Sequence, residues 1–166
     1  PPTSGSVVEA VRDPASRAEP DLDRAGAMLA LDLPATLEAQ FDRDALARIV
    51  GNLLDNAEKY GRTSEDRTID LAARATSDAV EVVVTDRGPG VARPTALFQP
   101  FSRGVSSIDG PAGLGLGLAL SRSLAHAMGG ELSHRAPATG GASFALRLAP
   151  AAADHEPTPV GADRRS

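Results

Sequence analysis

The segment from Arg43 to Tyr60 constrains the fold more than any other part of the chain. Its apolar residues fall at Leu46, Ile49, Val50, Leu53, Leu54 and Ala57, the spacing of three and four that lays one buried stripe along an α-helix. Asp42, immediately ahead, is a natural N-cap. A helix with a single apolar stripe must cover another layer, and the flanking segments supply strands. Ala27–Leu33 and Leu37–Phe41 read as two, separated around Pro34. Thr68–Ala73 and Ala79–Thr85 read as two more, joined through Thr76-Ser77-Asp78; the second is nearly all apolar, as a central strand buried on both faces would be. Glu131–Arg135 and Ala142–Leu148 form a final pair around Pro137-Ala138-Thr139-Gly140-Gly141. Two helices complete the pattern: a short face over Ser6–Asp13 (Val7, Val8, Val11) and a longer one over Gly115–Met128, closed by Gly129-Gly130. Strands and helices interleave, so the class is α/β.

At 166 residues the chain is one domain's worth. With aromatic residues at only 3%, the core must be built from Ala, Val, Ile and Leu. A net charge of -5 leaves no electrostatic footprint for nucleic acid or anionic lipid, so any bound polyphosphate is held by local donors. The absence of cysteine excludes disulfides and thiolate metal sites. Apolar runs fall well short of the ~20 residues a membrane span needs, which places this part of the protein outside the membrane. The first residue is Pro1 and no secretory signal follows, so the chain reads as a piece of a longer one. Residues 1–5 read as a flexible start, 6–150 as the domain and 151–166 as a disordered tail.

Four separated segments carry candidate chemistry. On the long helix, Asn52, Asn56 and Lys59 stand at i, i+4 and i+7, one face beside the apolar stripe. Such a face is ordinarily solvated; as a set, amide oxygens suit a hard cation such as Mg²⁺ and the ammonium suits phosphate oxygens. Asp86-Arg87-Gly88-Pro89-Gly90 follows the apolar strand, putting an acid next to a glycine turn where it can accept from an exocyclic amine such as that of adenine. Phe98 and Phe101, with Arg103 close behind, sit in a Gly/Pro-rich stretch from Asp86 to Gly113 whose length points to a functional loop. Gly113-Leu114-Gly115-Leu116-Gly117-Leu118 leads into a helix, where converging backbone N–H groups favour an anion. It has neither the Lys-Ser/Thr ending of a P-loop nor the preceding strand of a dinucleotide fold.

Taken in order, these segments resemble the ATP-binding domain of sensor histidine kinases, in the Bergerat-fold (GHKL) ATPase superfamily. Asn52–Tyr60 resembles the N box, Asp86–Gly90 the G1 box, Phe98–Arg103 the F box and Gly113–Leu118 the G2 box; Gly140-Gly141 with Phe144 resembles the closing glycine–strand element. The resemblance spans Ser6 to Pro150. It implies a two-layer α/β sandwich, with a mixed, mostly antiparallel sheet of about five strands under about three helices and a flexible ATP lid between Asp86 and Gly113. It implies ATP and Mg²⁺ as cofactors. Asn56 would ligate Mg²⁺ with Asn52 supporting it, Lys59 and Arg103 would approach phosphate, and Tyr60 would lie against the nucleotide. Asp86 would accept from the adenine amine, Gly88 and Gly90 would shape the base pocket, and Phe98 and Phe101 would dock the lid. Gly113, Gly115 and Gly117 would line the phosphates, together with Leu114, Leu116 and Leu118; Leu114 stands where the family often has a small hydroxyl residue.

Hydrolases of the superfamily place a general-base Glu one helical turn before the metal-binding Asn. Here that position is Asn52, which cannot take a proton, so phosphoryl transfer to an acceptor is favoured over water attack. The implied acceptor is a histidine on a dimerisation hairpin upstream, with a response regulator as further partner, a homodimeric full-length protein and a cytoplasmic location for this domain. None of the three histidines fits the acceptor: His126 lies near a helix end, His134 on a strand at the surface, and His155 beside Pro157 and Pro159, which would break a hairpin helix. Two alternatives share the fold, a free-standing anti-sigma-type serine kinase and a non-catalytic interaction module.

Overall fold

The computed structural model describes residues 1–91, 97–99, 116–138 and 140–151. In chain order they form β1 (Thr3–Ser6), α1 (Val7–Arg24), β2 (Met28–Asp32), β3 (Glu38–Phe41), α2 (Arg43–Gly61), β4 (Thr68–Ala75), β5 (Val80–Thr85), α3 (Leu116–Ala127), β6 (Glu131–Arg135) and β7 (Ser143–Pro150). The strands make one sheet in the order β1-β3-β7-β5-β4-β2, with β6 also paired to β7. Every pairing is antiparallel except β2 with β4. The sandwich is the expected one, with seven strands in place of about five.

The long helix forms as its pattern requires. Asp42 Oδ1 accepts from Ala45 N at 3.0 Å, and the helix continues to Gly61. Leu46, Ile49, Val50, Leu53 and Leu54 are fully buried and Ala57 nearly so. They meet Ile69 and Leu71 of β4, Val82 and Val84 of β5, and Leu146 and Leu148 of β7 in one core. Burying each such side chain contributes roughly 1.5–3 kcal/mol, enough to make this layer the main source of stability. At the far end, Gly129 takes φ +78° and Gly130 N donates to Ala125 O at 2.8 Å, closing α3 as expected.

Two expectations need correction. Residues 1–5 are not all loose, because Thr3–Ser6 pairs with Glu38–Phe41. The pairing depends on main-chain bonds and on Gly5 lying against the Phe41 ring, neither of which leaves a hydrophobic period in Thr3-Ser4-Gly5-Ser6. The first helix does not end near Asp13 but runs to Arg24 through Pro14 and Pro20. A proline inside a helix costs about 3 kcal/mol, yet Val7, Val8, Ala10, Val11, Pro14, Ala15 and Leu22 are all buried, and that packing outweighs the lost bonds. β5 is central as expected, between β7 and β4, and buried on both faces along most of its length. Glu81 alternates to the outer face, 4% exposed, where Arg74 Nη2 donates to it at 3.0 Å and Arg135 joins it from β6.

Hydrogen bonding from Arg135, ahead of the opposing effect of burial, holds the Glu81 carboxyl below its ordinary value of 4.5. A depressed carboxylate contributes stability that is present above that ordinary value and lost as pH falls through the folded one. Glu81→Gln should therefore melt lower than wild type at pH 7, with the gap closing below pH ~4.5. A gap in melting temperature that stays constant with pH would contradict this assignment.

Candidate functional site

The polar face of α2 is half-buried rather than solvated. Asn52, Asn56 and Lys59 are all of intermediate exposure, while Tyr60 is 41% exposed. Asn52 Nδ2 donates to Ser121 Oγ on α3 at 3.1 Å. Asn56 Nδ2 is buried without a hydrogen-bond partner among the described residues. Lys59 Nζ lies 3.2 Å from Asp55 Oδ2, a helix-surface pair worth only a few tenths of a kcal/mol and readily exchanged.

Asp86 terminates β5 and is 3% exposed. Its Oδ1 accepts from Gly88 N at 2.8 Å and Ala142 N at 3.3 Å, and none of the described residues donates to Oδ2. Burial pushes this carboxyl up, against the opposing pull of those two N–H groups. The turn after it is wedged between two parts of the chain. A Cβ on Gly88 would overlap the Tyr60 carbonyl, and one on Gly141, at φ +82°, would overlap the Asp86 carbonyl. Gly90, at φ +88°, would put its Cβ 3.2 Å from Gly141 O. Glycine is required here because two backbones meet where a side chain would stand.

The wedge fixes distances along α2. Gly88 packs on Tyr60, and Asp86 lies against Gly61. With a rise of 1.5 Å per residue, Asn56 stands about 6 Å and Asn52 about 12 Å further along the axis from Tyr60. The acid and the glycine turn thus meet the C-terminal end of the helix that carries the amide face.

Phe98 is half-buried, edge-on to Phe144 at 6.3 Å, with the Arg122 guanidinium 5.0 Å from its centroid. This aromatic docks as expected. Gly117 and Leu118 lie in the first turn of α3, which Leu116 opens, and Leu118 is buried. Phe101, Arg103, Gly113, Leu114, Gly115, His155 and most of the stretch expected to form the lid lie outside the described residues. The same holds for residues 152–166 of the tail.

His134 is on a strand as expected but not at the surface. Its ring lies 5.4 Å from Phe144, and its Nε2 is buried without a partner among the described residues. Burial holds it below its ordinary value, partly offset by the Asp86 charge. His126 Nε2 sits 2.8 Å from Glu131 Oε2 on the exposed side of α3.

Sequence reasoning missed the supports of this site. Glu58, 7% exposed, accepts from Arg62 Nε at 2.7 Å, Arg62 Nη2 at 2.9 Å and Arg67 Nη2 at 3.3 Å. Arg87, inside the glycine turn, pairs with Asp70 on β4 and lies 3.6 Å from Asp66. The signal for Glu58 was its position four residues after Leu54, on the buried stripe, with Arg62 four residues later.

Gly140 and Gly141 separate backbone strain from steric exclusion, since both have positive φ but only Gly141 has a backbone atom where its Cβ would go. Gly140→Ala should cost about 1–2 kcal/mol in urea unfolding, and Gly141→Ala at least twice that. Equal costs would mean that the wedge does not hold Asp86.

The model of the histidine kinase-, DNA gyrase B- and HSP90-like ATPase family matches residues 41–152. The chain is 37% identical over 157 residues to the sensor protein KdpD of Rathayibacter rathayi, covering 93% of this chain and 18% of that protein. It therefore spans about a fifth of the length of that relative. The mycobacterial sensor histidine kinase MprB superposes with a TM-score of 0.75 at 24% identity, over 91% of this chain and 99% of that one. The ATP-binding domain of PrrB from Mycobacterium tuberculosis superposes with a TM-score of 0.69 at 25% identity, over 91% of this chain and 98% of that one. The chain belongs to the histidine kinase-, DNA gyrase B- and HSP90-like ATPase family, as a homologue of the ATP-binding catalytic domains of sensor histidine kinases.

Proposed function

We propose that this domain binds Mg·ATP along α2 and, joined to an upstream hairpin, donates the γ-phosphoryl group to a histidine there. The reading rests on the wedge that seats the Asp86–Gly90 turn on the end of α2, one helical turn from Asn56. Asp86 Oδ2 accepts from the adenine amine while Oδ1 stays held by Gly88 and Ala142. Gly88 and Gly90 let the turn pack on the Tyr60 and Gly141 carbonyls beside the base, and exposed Tyr60 covers its edge. Lys59 exchanges its surface partner Asp55 for a phosphate oxygen. Phe98, seated on Phe144, anchors the loop that Phe101, Arg103 and Gly113–Leu118 would close over the phosphates.

The residues fit a magnesium ion. Asn52 has a carbonyl oxygen to which none of the described residues donates, and the buried Asn56 Nδ2, without a partner among them, is a donor for a phosphate oxygen while its amide oxygen would face the metal. Among the described residues no group of three or more His, Cys, Asp or Glu side chains could hold a metal, so the phosphates would supply most ligands, as Mg²⁺ prefers. Bound there, Mg²⁺ would neutralise phosphate charge and hold the phosphates in line for transfer.

Asn52 offers no base for activating water, which favours transfer over hydrolysis. The resemblance to sensor proteins and sensor histidine kinases favours this reading over a serine kinase or an interaction module. In the full-length protein we expect a homodimer that passes the phosphoryl group on to a response regulator, with this domain in the cytoplasm. Among the described residues no helix is long and apolar enough to cross a membrane.

Calorimetric titration with a non-hydrolysable ATP analogue tests the site. Asn56→Ala and Asp86→Ala should each weaken binding about tenfold or more, equivalent to at least ~1.4 kcal/mol, with circular dichroism confirming the fold. Wild-type affinity in both variants would refute the site.

A further inference from the structure

The buried stripe of α3 is interrupted by one hydroxyl. Leu118, Ala125 and Met128 line that face with 7%, 0% and 4% exposure, and Ser121 stands among them with none. A buried hydroxyl without a partner is costly, so an apolar residue would be the simpler choice for packing. Ser121 is satisfied by a residue 69 positions away: its Oγ accepts from Asn52 Nδ2 at 3.1 Å. That bond ties α3 to α2 and fixes where the Asn52 amide lies; a hydroxyl can partner either end of an amide, and here it takes the nitrogen. The nitrogen is committed to Ser121, and the carbonyl oxygen is the end to which none of the described residues donates.

We propose that Ser121 is a positioning residue for the metal–phosphate half of the site, acting through Asn52. The inference rests on the Mg·ATP reading above. By engaging the Asn52 amide, Ser121 Oγ holds the side chain against α3 and accepts from the NH₂ group that must turn away when the amide oxygen faces the metal's water shell. A hydrated Mg²⁺ donates hydrogen bonds through its water shell and repels N–H dipoles, so the oxygen-forward orientation is the one it requires. Without the hydroxyl, the oxygen-forward amide leaves its NH₂ group against α3 without a partner, which weakens the metal-facing orientation. Ser121 itself touches neither metal nor nucleotide, and the base contacts at Asp86 are independent of it.

The test measures affinity for the ATP analogue AMPPNP with Mg²⁺ and again in EDTA, for wild type, Ser121→Ala, and the isosteric pair Ser121→Thr and Ser121→Val. Wild type should bind more tightly with Mg²⁺; no such increment would sink the Mg·ATP reading itself. Given the increment, Ser121→Ala should lose about fivefold in the presence of Mg²⁺ and little in EDTA. Ser121→Thr should retain the increment and Ser121→Val should lose it. Because Thr and Val have the same shape, this pair isolates the hydroxyl even where added bulk lowers stability or Ser121→Ala folds poorly. In the nucleotide-free protein, the Asn52 side-chain NH₂ resonances should show slowed exchange in wild type and Ser121→Thr but not in Ser121→Ala. A Mg²⁺ increment unchanged in Ser121→Ala, or equal in the Thr and Val variants, would overturn the proposal.

Discussion

The structure turns on a backbone-to-backbone contact: the Asp86 carbonyl lies where a side chain at Gly141 would have to go, while Gly88 is pressed onto the Tyr60 carbonyl. These approaches lock the end of β5 between the β7 entry turn and the last turn of α2. A buried carboxylate is expensive to hold, and Asp86 is held by two N–H donors from the same wedge. The position of the acid relative to the amides of α2 is thus set by main chain, which is stiffer than any side-chain arrangement.

From that anchor the other supports follow. The Glu58–Arg62–Arg67 cluster fastens the end of α2 to the segment leading into β4, and Arg87 fastens the glycine turn to β4 itself through Asp70. Breaking one member of such a buried set leaves an uncompensated charge, so these pairs specify geometry more than they add stability. On the other side, Phe98, Phe144 and Arg122 form the seat on which the loop before α3 begins. On the outer face of the sheet, Arg74 and Arg135 cover Glu81.

Much of this was legible in the sequence. The stripe on α2, the N-cap Asp42, the central strand and the Gly129-Gly130 stop are local signals, and each formed where its pattern placed it. The elements that escaped depend on partners far away in the chain. β1 has no hydrophobic period and exists through its pairing with β3, and α1 passes two prolines because its apolar face is buried. Asn52, Asn56, Lys59 and Asp86 stood out as candidates from residue type and spacing, and the structure sets Asp86 against the end of the helix that carries the other three. That Gly141 shapes the same turn and that Ser121 engages Asn52 are contacts across 50 or more residues, for which one sequence holds no local signal.

The most direct measurement is a crystal structure of the domain with AMPPNP and Mg²⁺. The account predicts the adenine amine within hydrogen-bond reach (about 3 Å) of Asp86 Oδ2, and a metal contacting the Asn56 side-chain oxygen and the phosphates together. A nucleotide bound with its base away from Asp86, or with its phosphates away from the polar face of α2, would contradict it.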